Sequence, residues 1–506
     1  MANVTALDVK IGSGLTRAQG GWWSIAIQEP ATTIADKENG VRRGETETRE
    51  RGRTLSDRKL SPLCHVLALR GVLLCRNLSR RSMEACMTAL RMTGPLTSYD
   101  AAVLGAGYAG LMAALRLARP KRQLRIVLVN ASDRFLERVR LQEAIVADVA
   151  SHIPSIAAFV AGTTIEFICG PITSLDAERR RILILDGDQE REVAFDQAIY
   201  ALGSNIDVDA VPGAAEHTYR LEAGDGPLSA AALRLRLRAR AGQPVRVVSV
   251  GGAETGVEVA SEIKTAWPAA QITIISRSRC GSFKGPRVET VVRTELARLG
   301  VHLIDDESVA QVGPGELTTV TGRSIACDIC VWSGGLRSAA VAERAGLATD
   351  PRGRVLVDPN LRSVSHAHIL AVGDAAHPIA PTGAPYRLSA FTALVSGAYA
   401  ADMILAQRAK RQLRPFSFST FGQGVAIGHR GVGFFSYPDD KQTLFIVRGR
   451  AARHIRNFFV WLVSYVLKLE RKVPGFFVWP GRRRVSWHQA NDAIHKVKLA
   501  QRFQKA

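Results

Sequence analysis

Cysteine is scarce: seven among 506 residues, in no disulfide-rich pattern. That excludes a disulfide-stapled protein, and the scatter fits a reduced compartment. Cys327 and Cys330 form a CxxC, but no second CxxC or histidine pair accompanies them, so no zinc site is expected. Long apolar runs are missing too. None approaches the roughly 20 residues that cross a bilayer, and the N-terminus lacks the basic start and apolar core of a secretory signal. A cytoplasmic protein is expected, with peripheral attachment to the inner face of the membrane as its route to lipid. Acids are few, 46 against 67 Lys and Arg, for a net charge of +21. Such a chain attracts acidic lipid, phosphorylated ligands or nucleic acid, or is simply soluble. Much of the charge lies in the tail from Arg448 to Lys505, not interleaved with stacking aromatics across a sheet. No nucleic-acid partner is expected.

What is present is ordered by position. Residues 1–97 hold a mixed-charge run, "ADKENGVRRGETETRERGRTLSDRK", which buries too little apolar surface to offset its ordering entropy. An Arg-, Leu- and Ser-rich stretch follows, and reads as a transit-like helix. The plainer reading is a disordered extension or a start upstream of the true one, with Met83, Met87 and Met92 as alternative starts.

From Tyr99 onward, strand, glycine-rich turn, helix and strand recur. "AAVLGAGYAG" leads to "RIVLVN", and "RVVSVGGAETG" leads to "ITIIS". Gly105 to Asn130 and Gly251 to Ser276 are both 25 positions apart, so one βαβ plan is used twice. The alternation predicts an α/β fold with parallel sheets. In the first loop Gly105 permits the tight turn, Gly107 lets the backbone approach a pyrophosphate, and Gly110 lets helix and strand pack closely. The helix N-terminus then offers N–H groups and positive dipole to the anion. Asn130 stands where an acid usually grips a ribose hydroxyl, so that bond lacks charge assistance. In the second loop the corresponding positions are Gly251, Ala253 and Gly256. Neutral Ser276 replaces the acid, and Arg277 and Arg279 are placed to pair with a 2′-phosphate. NADPH is therefore expected to serve at least as well as NADH.

A third segment, Ala367 to Ala380, ends an apolar strand in Gly373-Asp374. The order of glycine loop, Ala201–Ser204 turn with Gly203, second loop and late Gly-Asp resembles the two-dinucleotide-binding flavoproteins, the pyridine nucleotide oxidoreductases. The resemblance covers roughly Ser98 to Leu405. It implies FAD on the first loop, NAD(P)H on the second, and Asp374 bonded to the ribityl chain. It also implies two Rossmann-like domains, the NAD(P) domain inserted in the FAD domain. The expected bounds are 98–215 and 346–410 for FAD, 216–345 for NAD(P), and 411–506 for a C-terminal region. Disulfide reduction is not expected. No cysteine lies between Gly105 and Asp148, and Cys327 to Cys330 reads as strand rather than helix N-terminus, so both are taken as core or flank residues.

The segments "GAGYAGLMAA", "ALGS", "GGAETGVEVA", "DICVWSGGLR" and "LAVGDAA" are similar to the type II NADH dehydrogenases. Glu258 matches that family's glutamate near nicotinamide and flavin; as a residue alone it reads equally as a helix-face carboxylate. The family's Gln-rich quinone segment is replaced by "APYRLSAFTALVSGAYAADMI", which has no Gln. A helix beginning near Pro385 to Ser389 is expected to aim its dipole at the flavin.

The tail "RHIRNFFVWLVSYVLKLERK" is amphipathic. Arg453, Asn457, Ser464, Lys468 and Arg471 share one narrow face, opposite Ile455, Phe458, Phe459, Leu462, Val466 and Leu469. It suits an anionic membrane surface, or packing on the body or in a homodimer. The expected activity is hydride transfer from NAD(P)H to FAD and electron delivery to a quinone-like acceptor, without proton pumping. Reduction of a small carrier such as a ferredoxin is the alternative, and a non-catalytic flavin-binding scaffold the remote one.

Overall fold

The computed structural model describes residues 96–119, 123–148, 154–222, 226–380, 383–419, 422–436 and 443–478. The expectations for residues 1–95 and for the basic cluster after Pro480 lie outside these.

The first glycine loop begins the larger sheet. Strand β1 (Thr97–Leu104) feeds helix α1 (Tyr108–Leu117), then β2 (Ile126–Asn130), β3 (Ile165–Cys169) and β4 (Gln189–Tyr200). The order is β3-β2-β1-β4, all parallel, with Val103 opposite Leu128 on one side and Ile199 on the other. An antiparallel pair, Ile172–Asp176 and Arg181–Asp186, extends the edge beyond β4. β2 and the second half of β1, Ala101 to Leu104, are almost continuously apolar because both of their faces are covered.

The second sheet takes its strands from later in the chain. It comprises β5 (Arg246–Val250), helix α2 (Glu254–Ala266), β6 (Gln271–Ile275), helix α3 (Pro286–Arg298), β7 (His302–Ile304) and β8 (Ile329–Trp332). The order is β7-β6-β5-β8, closed by Thr218–Arg220, and every pairing is parallel. The chain then returns to the first sheet through β9 (Ile369–Ala371), which pairs with β4, and through helix α4 (Ala390–Arg408). The fold is thus α/β with two Rossmann-like layers, each with its own apolar core.

Helix α4 is 19 residues long and apolar enough to cross a membrane, which the sequence reading did not anticipate. It is a core helix instead, mostly buried against α1. A Cβ on its Gly397 would stand 2.1 Å from the Ala109 carbonyl oxygen, so the two helices meet backbone to backbone. An antiparallel sheet of β10 (Gly422–Ile427), β11 (Arg430–Ser436) and β12 (Thr443–Arg448) follows, with helix α5 (Arg450–Lys472) packed across β10 and β11.

Helix α5 differs from the simple wheel. Its inner face, Ala452, Arg456, Val463, Leu467 and Glu470, is buried in the body. The predicted polar stripe is a flank, where Arg453 meets Glu262 and Ser464 donates to Glu137. The outward pole carries Phe458, Trp461 and Tyr465, all exposed, among Asn457, Lys468 and Lys472. Sequence periodicity misses this because it treats buried Arg456 and Glu470 as water-facing, whereas paired charges can line a packed face.

Candidate functional site

A cavity of about 670 Å³ opens where the two glycine loops, the start of α4 and the underside of α5 converge. The two loops are built alike. A Cβ on Gly110 would lie 1.8 Å from the Gly105 carbonyl oxygen, and one on Gly256 would lie 1.8 Å from that of Gly251. Each helix therefore enters against its own loop, and only glycine fits at that contact. At Gly107 a Cβ would meet nothing within 4 Å, and this residue faces the cavity. The backbone is thus bare where a pyrophosphate would approach, beside the N-terminus of α1.

Gly107, Gly203, Glu258, Gly373 and Asp374 all line this one cavity. Gly105, Gly110, Gly251 and Gly256 shape the loops beneath it. Asn130, Ala253, Arg277 and Arg279 lie away from the lining. The Asn130 amide oxygen accepts from Ala106 N at 2.9 Å and its nitrogen donates to Ser132 O, so this side chain braces the first loop. Ala253 is the residue that precedes α2. Arg279 is tied to Glu289 of α3 at 2.7 Å, whereas Arg277 is exposed. Ser276 is buried beneath the second loop, where a Cβ on Gly252 would strike its Oγ at 2.3 Å.

Asp374 accepts a hydrogen bond from Ser204 Oγ at 3.1 Å, and the Arg138 guanidinium donates to Ser204 O. Burial raises the Asp374 carboxyl above its usual range, while Arg138 and Ser204 act the other way. Gly373 N donates to Ser396 of α4, which fixes the turn. The start of α4 is capped by Ser389, whose Oγ accepts from Thr392 N, and residues 388–393 line the cavity. The expected helix N-terminus is therefore present at the site.

On the second-loop side, Glu258 is paired with Arg456 at 3.1 Å. Burial pushes the Glu258 carboxyl up, with Arg456 and the Ala426 N–H opposing. Trp332 Nε1 and Ser333 Oγ, at the end of β8, are buried without a hydrogen-bond partner, as a site that receives a polar ligand would leave them. The residues present fit two dinucleotides: a bare loop backbone, a second loop of the same build, and unpaired donors beside it. Cys327 and Cys330 are both 3% exposed, in and beside β8, and neither lines the cavity. Their mutual hydrogen bond and burial hold the Cys330 thiol well above its usual value. No group of three metal-ligating side chains occurs among the described residues.

Sequence reasoning missed Arg138, Arg387 and Arg456, which all line the cavity. Arg387 donates to Gln423 and to Phe283 O, so it joins α4 to β10. Arginine was abundant and no spacing rule singled these out.

Comparison with known proteins agrees with this geometry. The chain is 30% identical over 296 residues to an NADH dehydrogenase-like protein of Mycobacterium tuberculosis, covering 54% of this chain and 72% of the relative. It is 24% identical to the alternative NAD(P)H-ubiquinone oxidoreductase C1 of Arabidopsis thaliana, over 79% of this chain and 82% of that one. Among solved structures, the sulfide:quinone oxidoreductase of Aquifex aeolicus superposes with a TM-score of 0.64 at 16% identity, covering 75% of this chain and 93% of that one. Residues 99–399 match the pyridine nucleotide-disulphide oxidoreductase family, and the chain belongs to that family, as an FAD-dependent NAD(P)H dehydrogenase.

Proposed function

We propose that the protein passes electrons from NAD(P)H, through FAD, to a quinone-like acceptor that enters from a membrane surface, without proton pumping. The observation that carries this is the cavity wall opposite the glycine loops. It is made by Phe459, Val460, Leu462 and Val463 of α5, with Leu388 just before α4 and Phe391 within it. The helix that supplies most of this apolar wall also turns Phe458, Trp461 and Tyr465 outward, with Trp461 stacked on Tyr465 at 4.7 Å. An apolar acceptor suits such a wall, and exposed aromatics flanked by lysines suit an anionic interface. One relative's name, NAD(P)H-ubiquinone oxidoreductase, points the same way.

FAD held by these residues would supply the redox chemistry, hydride transfer from the nicotinamide and electron delivery to the acceptor. The chain's own residues do the positioning. The Gly107 backbone and the N-terminus of α1 receive the pyrophosphate. Asp374, braced by Ser204, offers a carboxylate to the ribityl hydroxyls. The N-terminus of α4 supplies positive potential at the cavity, and the α5 wall excludes water from it. NADPH is inferred to serve at least as well as NADH: Ser276 presents no acid to repel a 2′-phosphate, and Arg277 is free in solvent to meet it.

Steady-state turnover of the purified protein with a short-chain soluble quinone, beside a ferredoxin, tests the acceptor. Quinone turnover is expected, and Leu462→Trp should raise KM for quinone while leaving flavin reduction by NADPH intact. Turnover with the ferredoxin alone would overturn the reading in favour of a carrier-protein reductase.

A further inference from the structure

Glu258 is held from outside its own helix by a residue nearly two hundred positions away. Arg456, on the inner face of α5 and 4% exposed at its side chain, donates from Nε to Glu258 Oε1 at 3.1 Å and from a terminal nitrogen to Oε2 at 3.2 Å. The same guanidinium donates to Glu143 at 3.1 Å, on a short helix packed against α2, and to Val139 O at 2.9 Å, beside the core of the first sheet. The fork therefore joins three parts of the chain at one point: nucleotide helix α2, the segment after β2, and the C-terminal helix. Strand β10 presses it into place. A Cβ on Gly424 would lie 2.8 Å from Arg456 Cα and Cβ, and Ala426 N donates to Glu258 at 2.9 Å.

We propose that Arg456 is a positioning residue for the dehydrogenase reaction, fixing Glu258 in the cavity wall and locking the nucleotide half to the flavin half at the site. The proposal rests on Glu258 standing beside the hydride-transfer centre.

The other charges around Glu258 do not replace Arg456. Glu262, one turn along α2, repels it and is itself engaged by Arg453. Glu254, one turn back, lies 3.9 Å from Arg387. Glu143 is shared with Arg140. Ala426 N is the remaining direct donor. Without Arg456, a carboxylate only 12% exposed at its side chain keeps one backbone hydrogen bond and acidic neighbours, so it holds a proton more tightly still. A folded-state carboxyl with a raised pKa binds its proton more tightly than the unfolded chain does. Stability is then highest at low pH and falls as pH rises through the folded value.

The test compares wild type, Arg456→Met, Arg456→Lys and Arg456→Met with Glu258→Gln. The readouts are Tm and bound flavin against pH, and anaerobic flavin reduction by NADPH. The last needs no acceptor, so the quinone reading does not enter. In Arg456→Met, Tm should go on falling with rising pH beyond the point where wild type levels off, and the reduction rate should gain an inflection in the same range. Arg456→Lys should restore most of the wild-type slope, and the double variant should lose the extra slope. If Arg456→Met fails to fold with flavin, the double variant should recover flavin, because it removes the buried carboxylate together with its partner. A Tm slope and rate profile parallel to wild type, or a double variant no better than Arg456→Met, would overturn the proposal. A wild-type flavin reduced by neither NADPH nor NADH would instead overturn the placement of Glu258.

Discussion

At the scale of single residues, the site divides by how much space each position leaves. Gly107 faces open cavity, so a Cβ there meets no protein atom within 4 Å and stands in the room a pyrophosphate would need. Gly107→Val is therefore expected to fold but to purify with little flavin, read from the absorbance ratio; full occupancy would show that the first loop does not hold FAD. The two arginines after β6 differ in kind. Arg279 is already paired with Glu289, whereas Arg277 is exposed. Arg277→Ala is expected to lower kcat/KM for NADPH by about tenfold, the loss of one charge-assisted contact of roughly 1.5 kcal/mol. Arg279→Ala should cost less, and neither should alter kcat/KM for NADH much. Equal losses for both cofactors would show that the arginines do not read the 2′-phosphate. The glycines and Asp374 were legible in the sequence because a turn chemistry and a fixed spacing mark them. Arg456 was not, since its partner Glu258 lies 198 positions away and no local rule links them.

At the scale of elements, helix α5 shows what periodicity can and cannot give. The helix and its amphipathic character were legible, because apolar side chains recur at helical spacing. The inward face was not, because its two buried charges read as solvent-facing until their partners are known. The outward face makes a prediction of its own. Phe458, Trp461 and Tyr465 touch one another in a row rather than the core, so replacing all three with Ser should leave flavin content and Tm nearly unchanged. Co-sedimentation with anionic liposomes should fall sharply, and in wild type it should weaken with salt as the lysines are screened. Undiminished sedimentation of the triple variant would remove this face as the lipid contact. Strand β10 reports on the other side of the helix. Gly424→Ala forces a methyl group into the Arg456 backbone, an overpacking that typically costs about 1–3 kcal/mol, so a clear fall in Tm is expected.

At the scale of the whole molecule, α5 is fastened to both dinucleotide-binding halves. Near its start, Arg453 and Arg456 hold Glu262 and Glu258 of the nucleotide half. Near its end, fully buried Glu470 pairs with Arg116 of α1 at 3.1 Å, and Arg116 pairs with Asp402 of α4 at 2.9 Å. Glu470 also accepts from Gly475 N and Phe477 N, which folds the chain beyond the helix back onto the flavin half. Leu467 and Val463 are part of the same apolar core as α1 and α4. Removing α5 would therefore do more than remove the proposed lipid contact. It would leave Arg116 without one carboxylate, Glu258 without its guanidinium, and core side chains open to water. Each broken buried pair typically costs about 3–5 kcal/mol, a large part of the total stability of an ordinary domain. A chain ending at Gly449 is thus expected to lose most of its flavin and to melt well below wild type, besides losing liposome binding. The triple serine variant of the outer face should lose liposome binding alone. Retention of flavin and Tm by the shortened chain would show that the two halves hold together without the helix.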